Sequence, residues 1–242
     1  VTGKEGKMNH TVVGISSHGQ ATPTPAVPAY LRDTYTWAYL TPTSLAAFDH
    51  PLVVDLILWG QHDHLESLVL NEMMPGQRVL QAACVYGEFS THLAKFLGPD
   101  GRLDVVDVAP IQAENSRRKL APMANTRVRI ADAADPGGGE YDTVVSFLLL
   151  HEVPDDYKRR VIDGLLARIG EKGRVVFIDY HKPVWWHPLK PLMSVIFDVA
   201  EPFAKGLWRK EILQFASSPD EFVWRKETCF GGLYQKVVVE RR

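Results

Sequence analysis

Acidic and imidazole side chains recur in one kind of place along this chain, just past the end of a short apolar run. "LDVVD" closes on Asp107, "VRIAD" on Asp132, "LLLHE" on His151 and Glu152, and "IDYH" carries Asp179 and His181. An ionised aspartate is acceptor-only, so Asp107 suits a pair of vicinal hydroxyls and Asp132 an amino group on a planar base. Either side chain would equally well cap a following helix. The two imidazoles and two carboxylates at 151–152 and 179–181 have ligand types that manganese accepts. The histidines also have the proton affinity to act as a general base near neutrality. No HxxxH or comparable spacing accompanies them.

Between these positions lies "VLQAACVYGEFS", residues 79–90. It follows a Pro75-Gly76 turn and a short apolar run and leads into an amphipathic stretch, the context of a nucleotide-binding strand–turn–helix. Such turns carry glycines so that the backbone can reach positive φ and approach a ligand. Here Ala83, Val85 and Tyr86 stand where small residues are expected, Gly87 is the only glycine, and neutral Gln81 replaces an acid at the strand end.

The elements that must position these groups follow from the pattern. Apolar runs at Arg78–Ala83, Leu103–Asp107, Arg127–Ala131, Thr143–Leu149 and Arg174–Asp179 alternate with helical patterns at Glu88–Leu97, Pro110–Leu120 and Asp155–Ile169. Continuous apolar strands alternating with helices predict a parallel sheet covered on both faces. Gly231-Gly232 between two strand-like runs predicts a terminal antiparallel hairpin. Two helices are expected between Tyr30 and about Glu72. This is an α/β, Rossmann-like plan, that of the class I S-adenosylmethionine (SAM)-dependent methyltransferases, with added N-terminal helices. The ligand groups then gather beyond the carboxyl ends of the strands. Asp107 and Asp132, in register with the turn, predict an adenosine ligand.

The segments "YLRDTYTWAYL", "LILWG", "VLQAACVYGEFS", "LDVVDVAPIQAENSRRKL", "LLLHE", "IDYHKP", "HPLKPLM" and "EPFAKGLWRKEI" resemble the rhodoquinone biosynthesis protein family (RquA) over about residues 30–215. "ACVYGEFS" is the most specific of them. The resemblance implies that a ring methoxy group of ubiquinone is replaced by an amino group, with SAM as amino donor and a divalent metal, preferably Mn(II). It also implies peripheral association with a membrane, at the cytoplasmic face of a bacterial inner membrane or the matrix side of a mitochondrial one. Within that reading Gln81, Tyr86, His151 and His181 are the candidate catalytic residues. The cofactor falls to Gln81, Ala83, Tyr86, Gly87, Asp107 and Asp132, and the metal to His151, Glu152, Asp179 and His181. A carboxylate beside an amine favours its ammonium form, so neutral Gln81 would leave the cofactor's amine easier to deprotonate. Two other readings stay open: a conventional methyltransferase acting on a quinone or phenol, and a non-catalytic scaffold of a quinone-biosynthesis complex.

"VWWHPLKPLMSVIFDVAEPFAKGLW" (184–208) combines a helical apolar pattern with Trp185, Trp186 and neighbouring lysines. Aromatic and basic groups together suit a membrane interface. "YLRDTYTWAYL" offers a second wall for the same cavity, with Tyr35 or Tyr39 near the cofactor. The 242 residues are 45% hydrophobic with a net charge of −2, which suits one domain with a large core and no polyanion partner such as nucleic acid. The two cysteines make no disulfide framework. Residues 1–29, rich in Gly, Ser, Thr and Pro, read as a flexible tail ahead of a domain at 30–242, with no secretory apolar segment.

Overall fold

A computed structural model describes residues 26–242, so most of the expected tail lies outside the described residues. β1 (Arg78–Ala82), β2 (Arg102–Asp107), β3 (Thr126–Ile130), β4 (Tyr141–Phe147) and β5 (Ile169–Tyr180) are parallel. β6 (Phe222–Cys229) and β7 (Tyr234–Arg241) form the hairpin, and β7 lies antiparallel between β5 and β6. The sheet order is β3-β2-β1-β4-β5-β7-β6. The chain reverses its strand order on either side of β1, the place where open α/β sheets leave a crevice at their carboxyl ends.

The N-terminal region holds four helices where two were expected: α1 (Ala29–Tyr39), α2 (Pro42–Phe48), α3 (Pro51–Ile57) and α4 (His62–Leu70). Prolines make the breaks. Pro42 and Pro51 each open a helix, where a missing N–H costs nothing, and each pushes its preceding residue out of helical conformation. Gly60, at φ 72°, ends the α3 segment. The core helices are α5 (Phe89–Leu97), α6 (Pro110–Leu120) and α7 (Asp155–Leu166), followed by α8 (Lys190–Val199) and the short α9 (Gly206–Arg209). α7 stops short of the expected Ile169, because Ile169 pairs with Tyr141 and starts β5. The polar "GEKG" that follows gives no apolar signal for that early strand segment.

Strand alternation divides the core. Val176 and Ile178 of β5 pack toward α4, α5 and α8, whereas Val175 and Phe177 face α7. Phe89 stacks on Phe147 at 4.4 Å between ring centres, and both are buried. Each such aromatic contributes about 1.5–3 kcal/mol by leaving water, which anchors the start of α5 to the end of β4. The ends of β1 and β4 are thereby held in a fixed relation, and the candidate site is built on those ends.

Candidate active site

Backbone strain marks the site. Four non-glycine residues among those described have positive φ: Trp59 (57°), Ala83 (68°), Leu148 (55°) and Phe230 (48°). The first three all line one cavity of about 340 Å³. Such conformations cost about 1–2 kcal/mol each for residues with a Cβ, and they collect where function requires them. The cavity wall is largely apolar, built by α1, α3, α8 and the turn after β1, and its polar end holds His151, Glu152 and Glu201. A second, smaller cleft lies between Asp107 and Asp132. Tyr39, Ala83, Cys84 and Glu152 line both spaces and form the wall they share.

In the smaller cleft, Asp107 at the end of β2 accepts hydrogen bonds from the Ala109 N–H (2.7 Å) and the Cys84 N–H (2.8 Å). Burial raises its pKa to about 6 in spite of those bonds. Asp132 accepts from the Ala134 N–H at 2.8 Å and from the Tyr157 hydroxyl. Tyr30 packs against Tyr157 with ring centres 5.0 Å apart and completes this side of the cleft. Two acceptor carboxylates at neighbouring strand ends, with aromatic and aliphatic walls between them, are the groups an adenosine would use, and the cleft they line has a volume of about 60 Å³.

The turn after β1 is tied to the N-terminal helices. The Tyr86 hydroxyl donates to the Ala38 carbonyl (2.6 Å) and accepts from the Gln112 amide (2.9 Å). Its ring lies between Tyr39 and Phe48, at 5.5 and 6.1 Å. Gly87, at φ 81°, donates its N–H to Asp49 (2.9 Å), and its carbonyl accepts from Lys119. Gly87 therefore clamps α5 to the residues after α2 and is absent from the walls of both spaces. Gln81 is also absent from them and is fully buried. Its amide donates to the Ala83 carbonyl at 3.0 Å, while its Oε1 is buried without a hydrogen-bond partner. Gln81 thus stands behind the loop and presents one unsatisfied acceptor there.

At the polar end, His151 Nδ1 lies 2.9 Å from Asp179 Oδ1. Asp179 is fixed by N–H groups from Leu150 (2.7 Å) and Tyr180 (2.8 Å). His151 Nε2 lies 3.9 Å from Glu152, which accepts from the Tyr39 hydroxyl. Burial alone would lower the His151 pKa, but the Asp179 charge and hydrogen bond outweigh it and raise the value to about 9. Burial raises Glu152. The arrangement is an oriented imidazole: a carboxylate holds one nitrogen, and the other is free to hold or pass a proton.

The proposed metal quartet does not assemble. His181 turns away, with Nδ1 2.9 Å from the Gly232 carbonyl and Nε2 facing Lys226 and Glu211. Asp179 is spent on His151 and two N–H groups. Among the described residues no group of three or more His, Cys, Asp or Glu is placed to hold a metal ion. The donor set therefore does not fit manganese, and His181 does not join His151. The reason is topological: His181 follows the last residue of β5 and is drawn toward the hairpin turn by the bond from its own N–H to the Leu233 carbonyl (2.8 Å). Sequence reasoning passed over Tyr30, Tyr157, Cys84 and Glu201. Only "EPFAKGLW", with its acid set in an apolar stretch, held a signal for Glu201.

Residues 79–173 match the family described as a methyltransferase domain. An uncharacterized methyltransferase of Synechocystis is 26% identical over 166 residues, covering 66% of this chain and 74% of that protein. A demethylmenaquinone methyltransferase of Staphylococcus aureus is 23% identical over 180 residues, covering 73% and 70%. Among solved structures, an O-methyltransferase family protein from Burkholderia thailandensis superposes with a TM-score of 0.65 at 15% identity over 86% of this chain. The chain spans 63% of that protein's length.

Proposed function

From a class I SAM-methyltransferase fold with a glycine-poor cofactor turn, we propose that this protein is a transferase acting on a membrane quinone. It replaces a methoxy group of ubiquinone with an amino group, as the rhodoquinone biosynthesis family does. One observation carries the reading: an apolar cavity of ring-accommodating size shares a wall, at Tyr39, Ala83, Cys84 and Glu152, with the cleft between Asp107 and Asp132. A ring in the first space meets whatever the second presents.

SAM, when bound, would supply the nitrogen. The methoxy group would leave as methanol as the ring C–N bond forms. The ring, reduced to the quinol, would take up the two electrons released when water cleaves the amine's old C–N bond to give a keto acid. Asp107 would accept the ribose hydroxyls and Asp132 the adenine amino group. Gln81, neutral and behind the turn, would add no charge that favours the ammonium form of the amine. His151, protonated at neutrality and held by Asp179, would donate to a ring carbonyl and make the ring carbon more electrophilic. That role suits attack on a quinone better than deprotonation of a phenol. Manganese belongs to the family resemblance, and no step here passes through a metal.

Methyl transfer to a quinone or phenol is the second reading, favoured by the methyltransferase-domain match and the demethylmenaquinone methyltransferase relative. An isotope separates the two. SAM carrying nitrogen-15 only at its α-amine is expected to give an aminoquinone heavier by about one mass unit than that from unlabelled cofactor, read by mass spectrometry. Nitrogen taken from solution ammonia would overturn the donor assignment, and a product gaining a methyl group would establish the second reading.

The reading also places the protein at a membrane surface. Ten of the thirteen exposed large apolar side chains among the described residues fall at 37, 52–57 and 184–199, in segments that adjoin the cavity. Trp185 is 84% exposed and Trp186 64%. On α8, Leu192, Val195 and Val199 face outward while Met193 and Phe197 are buried, so the helix is apolar around most of its girth. No described helix is long and apolar enough to cross a membrane, so the expected contact is interfacial. The double change Trp185→Ala, Trp186→Ala is expected to weaken vesicle binding about tenfold, in line with the apolar area withdrawn. SAM affinity should be unaffected. Unchanged co-sedimentation with vesicles would assign these tryptophans another task.

A further inference from the structure

Glu201 is an acid in an apolar wall. It follows α8, whose Met193, Ile196 and Phe197 line the large cavity, and it lines the cavity with them. A carboxyl group in such surroundings is costly unless its oxygens are engaged. One of them is: the hydroxyl of Tyr35, itself fully buried, donates to Oε2 at 2.7 Å. Among the described residues no lysine, arginine or histidine nitrogen stands within ion-pair distance of it, so it is not half of a structural salt bridge.

A second pair repeats the device one turn along α1, where the Tyr39 hydroxyl donates to Glu152. The two pairs differ in position. Glu152 lies on the wall shared with the cofactor cleft, whereas Glu201 lines the large cavity alone. Tyr35 holds its carboxyl still by joining α1 to the end of α8, elements 166 residues apart in the chain. A polar group fixed in this way in an otherwise apolar enclosure fits the usual design of a small-molecule site, in which a few placed groups set orientation.

We propose that Glu201, seated by Tyr35, orients the substrate ring at the polar end of the cavity by donating a hydrogen bond from Oε1 to a ring oxygen, since the carbonyl and methoxy oxygens of a quinone only accept. The inference rests on the quinone reading above and adds a positioning residue to it. Glutamine also donates at this position, and its carbonyl oxygen can accept from Tyr35, so Glu201→Gln keeps both bonds. Methionine fills a similar volume and offers neither.

The test uses the full chain with a ubiquinone carrying one isoprenoid unit, in detergent. Glu201→Met is expected to lower kcat/KM for the quinone about tenfold or more. Glu201→Gln should stay within about threefold of wild type, and Tyr35→Phe should fall between the two. SAM affinity by calorimetry should be the same in all four proteins, which a general loss of structure would not allow. Wild-type kcat/KM in a folded Glu201→Met protein would overturn the inference. So would a Glu201→Gln protein as impaired as Glu201→Met, since that points to packing or charge instead of a hydrogen bond. A wild-type chain that takes up no quinone overturns the underlying reading and this inference with it, and that result is seen before any variant is made.

Discussion

Replacing His151 by alanine is expected to reduce quinone turnover by about 10²–10⁴-fold, the range that a positioned proton-transfer group contributes. The cleft between Asp107 and Asp132, where the cofactor is proposed to bind, does not include His151, so SAM affinity should stay within about twofold. Asp179→Asn keeps the shape of the partner but removes the charge that holds the imidazole, and it should lose a large part of the same factor. Single-turnover product formation by mass spectrometry measures both variants, with circular dichroism confirming the fold. A folded His151→Ala protein with wild-type turnover would remove the Asp179–His151 pair from the chemistry. That result would leave the cavity and the cofactor cleft as described.

Asp107→Ala is expected to weaken SAM binding about tenfold or more, because a hydrogen bond to a charged acceptor contributes about 1.5–3 kcal/mol. The structure adds a second consequence. Asp107 also accepts the Ala109 and Cys84 N–H groups, so the alanine variant strands two buried donors. Asp107→Asn keeps one acceptor oxygen and is the gentler control. Burial raises Asp107 to about 6, above the unfolded value of about 3.9, and this fixes the signs. The native state retains a proton that the unfolded chain releases. The stability so contributed is complete below about pH 4 and is lost as pH rises through about 6. Cofactor affinity runs the opposite way, since bound hydroxyls need an ionised acceptor, and it should fall as pH drops below about 6. Calorimetry across that window in wild type and Asp107→Asn checks both slopes. A flat affinity profile in wild type would remove Asp107 from the ribose contact.

Some of the site was visible in the chain before any contact was known. Asp107 and Asp132 announced themselves because each ends a strand-like run in a βα alternation, which places the last polar residue at the crevice; β2 is buried on both faces, whereas β3 is a partly buried edge strand. The anomalous turn was visible because glycine is missing where backbone geometry requires it; Ala83 adopts the positive φ regardless. Gln81 and Gly87 show the limit of that argument. Both occupy the expected positions in the turn, yet one supports the Ala83 carbonyl from behind and the other fastens the loop to Asp49. Sequence position selects the loop but does not say which side of it meets the ligand.

The fold class, the parallel order of strands and helices and the terminal hairpin were determined by the sequence alone, because hydrophobic period and turn chemistry are local properties. The partners at the polar end were decided only by tertiary structure. His151 meets Asp179 across 28 residues, Tyr39 meets Glu152 across 113 and Tyr35 meets Glu201 across 166. His181, two residues beyond Asp179, is turned to the hairpin instead. No periodicity encodes those meetings. They arise because Pro42 and Pro51 break the N-terminal segment into short helices that fold over the strand ends, and because the direction of a side chain at a strand terminus is set by whichever neighbour satisfies its backbone.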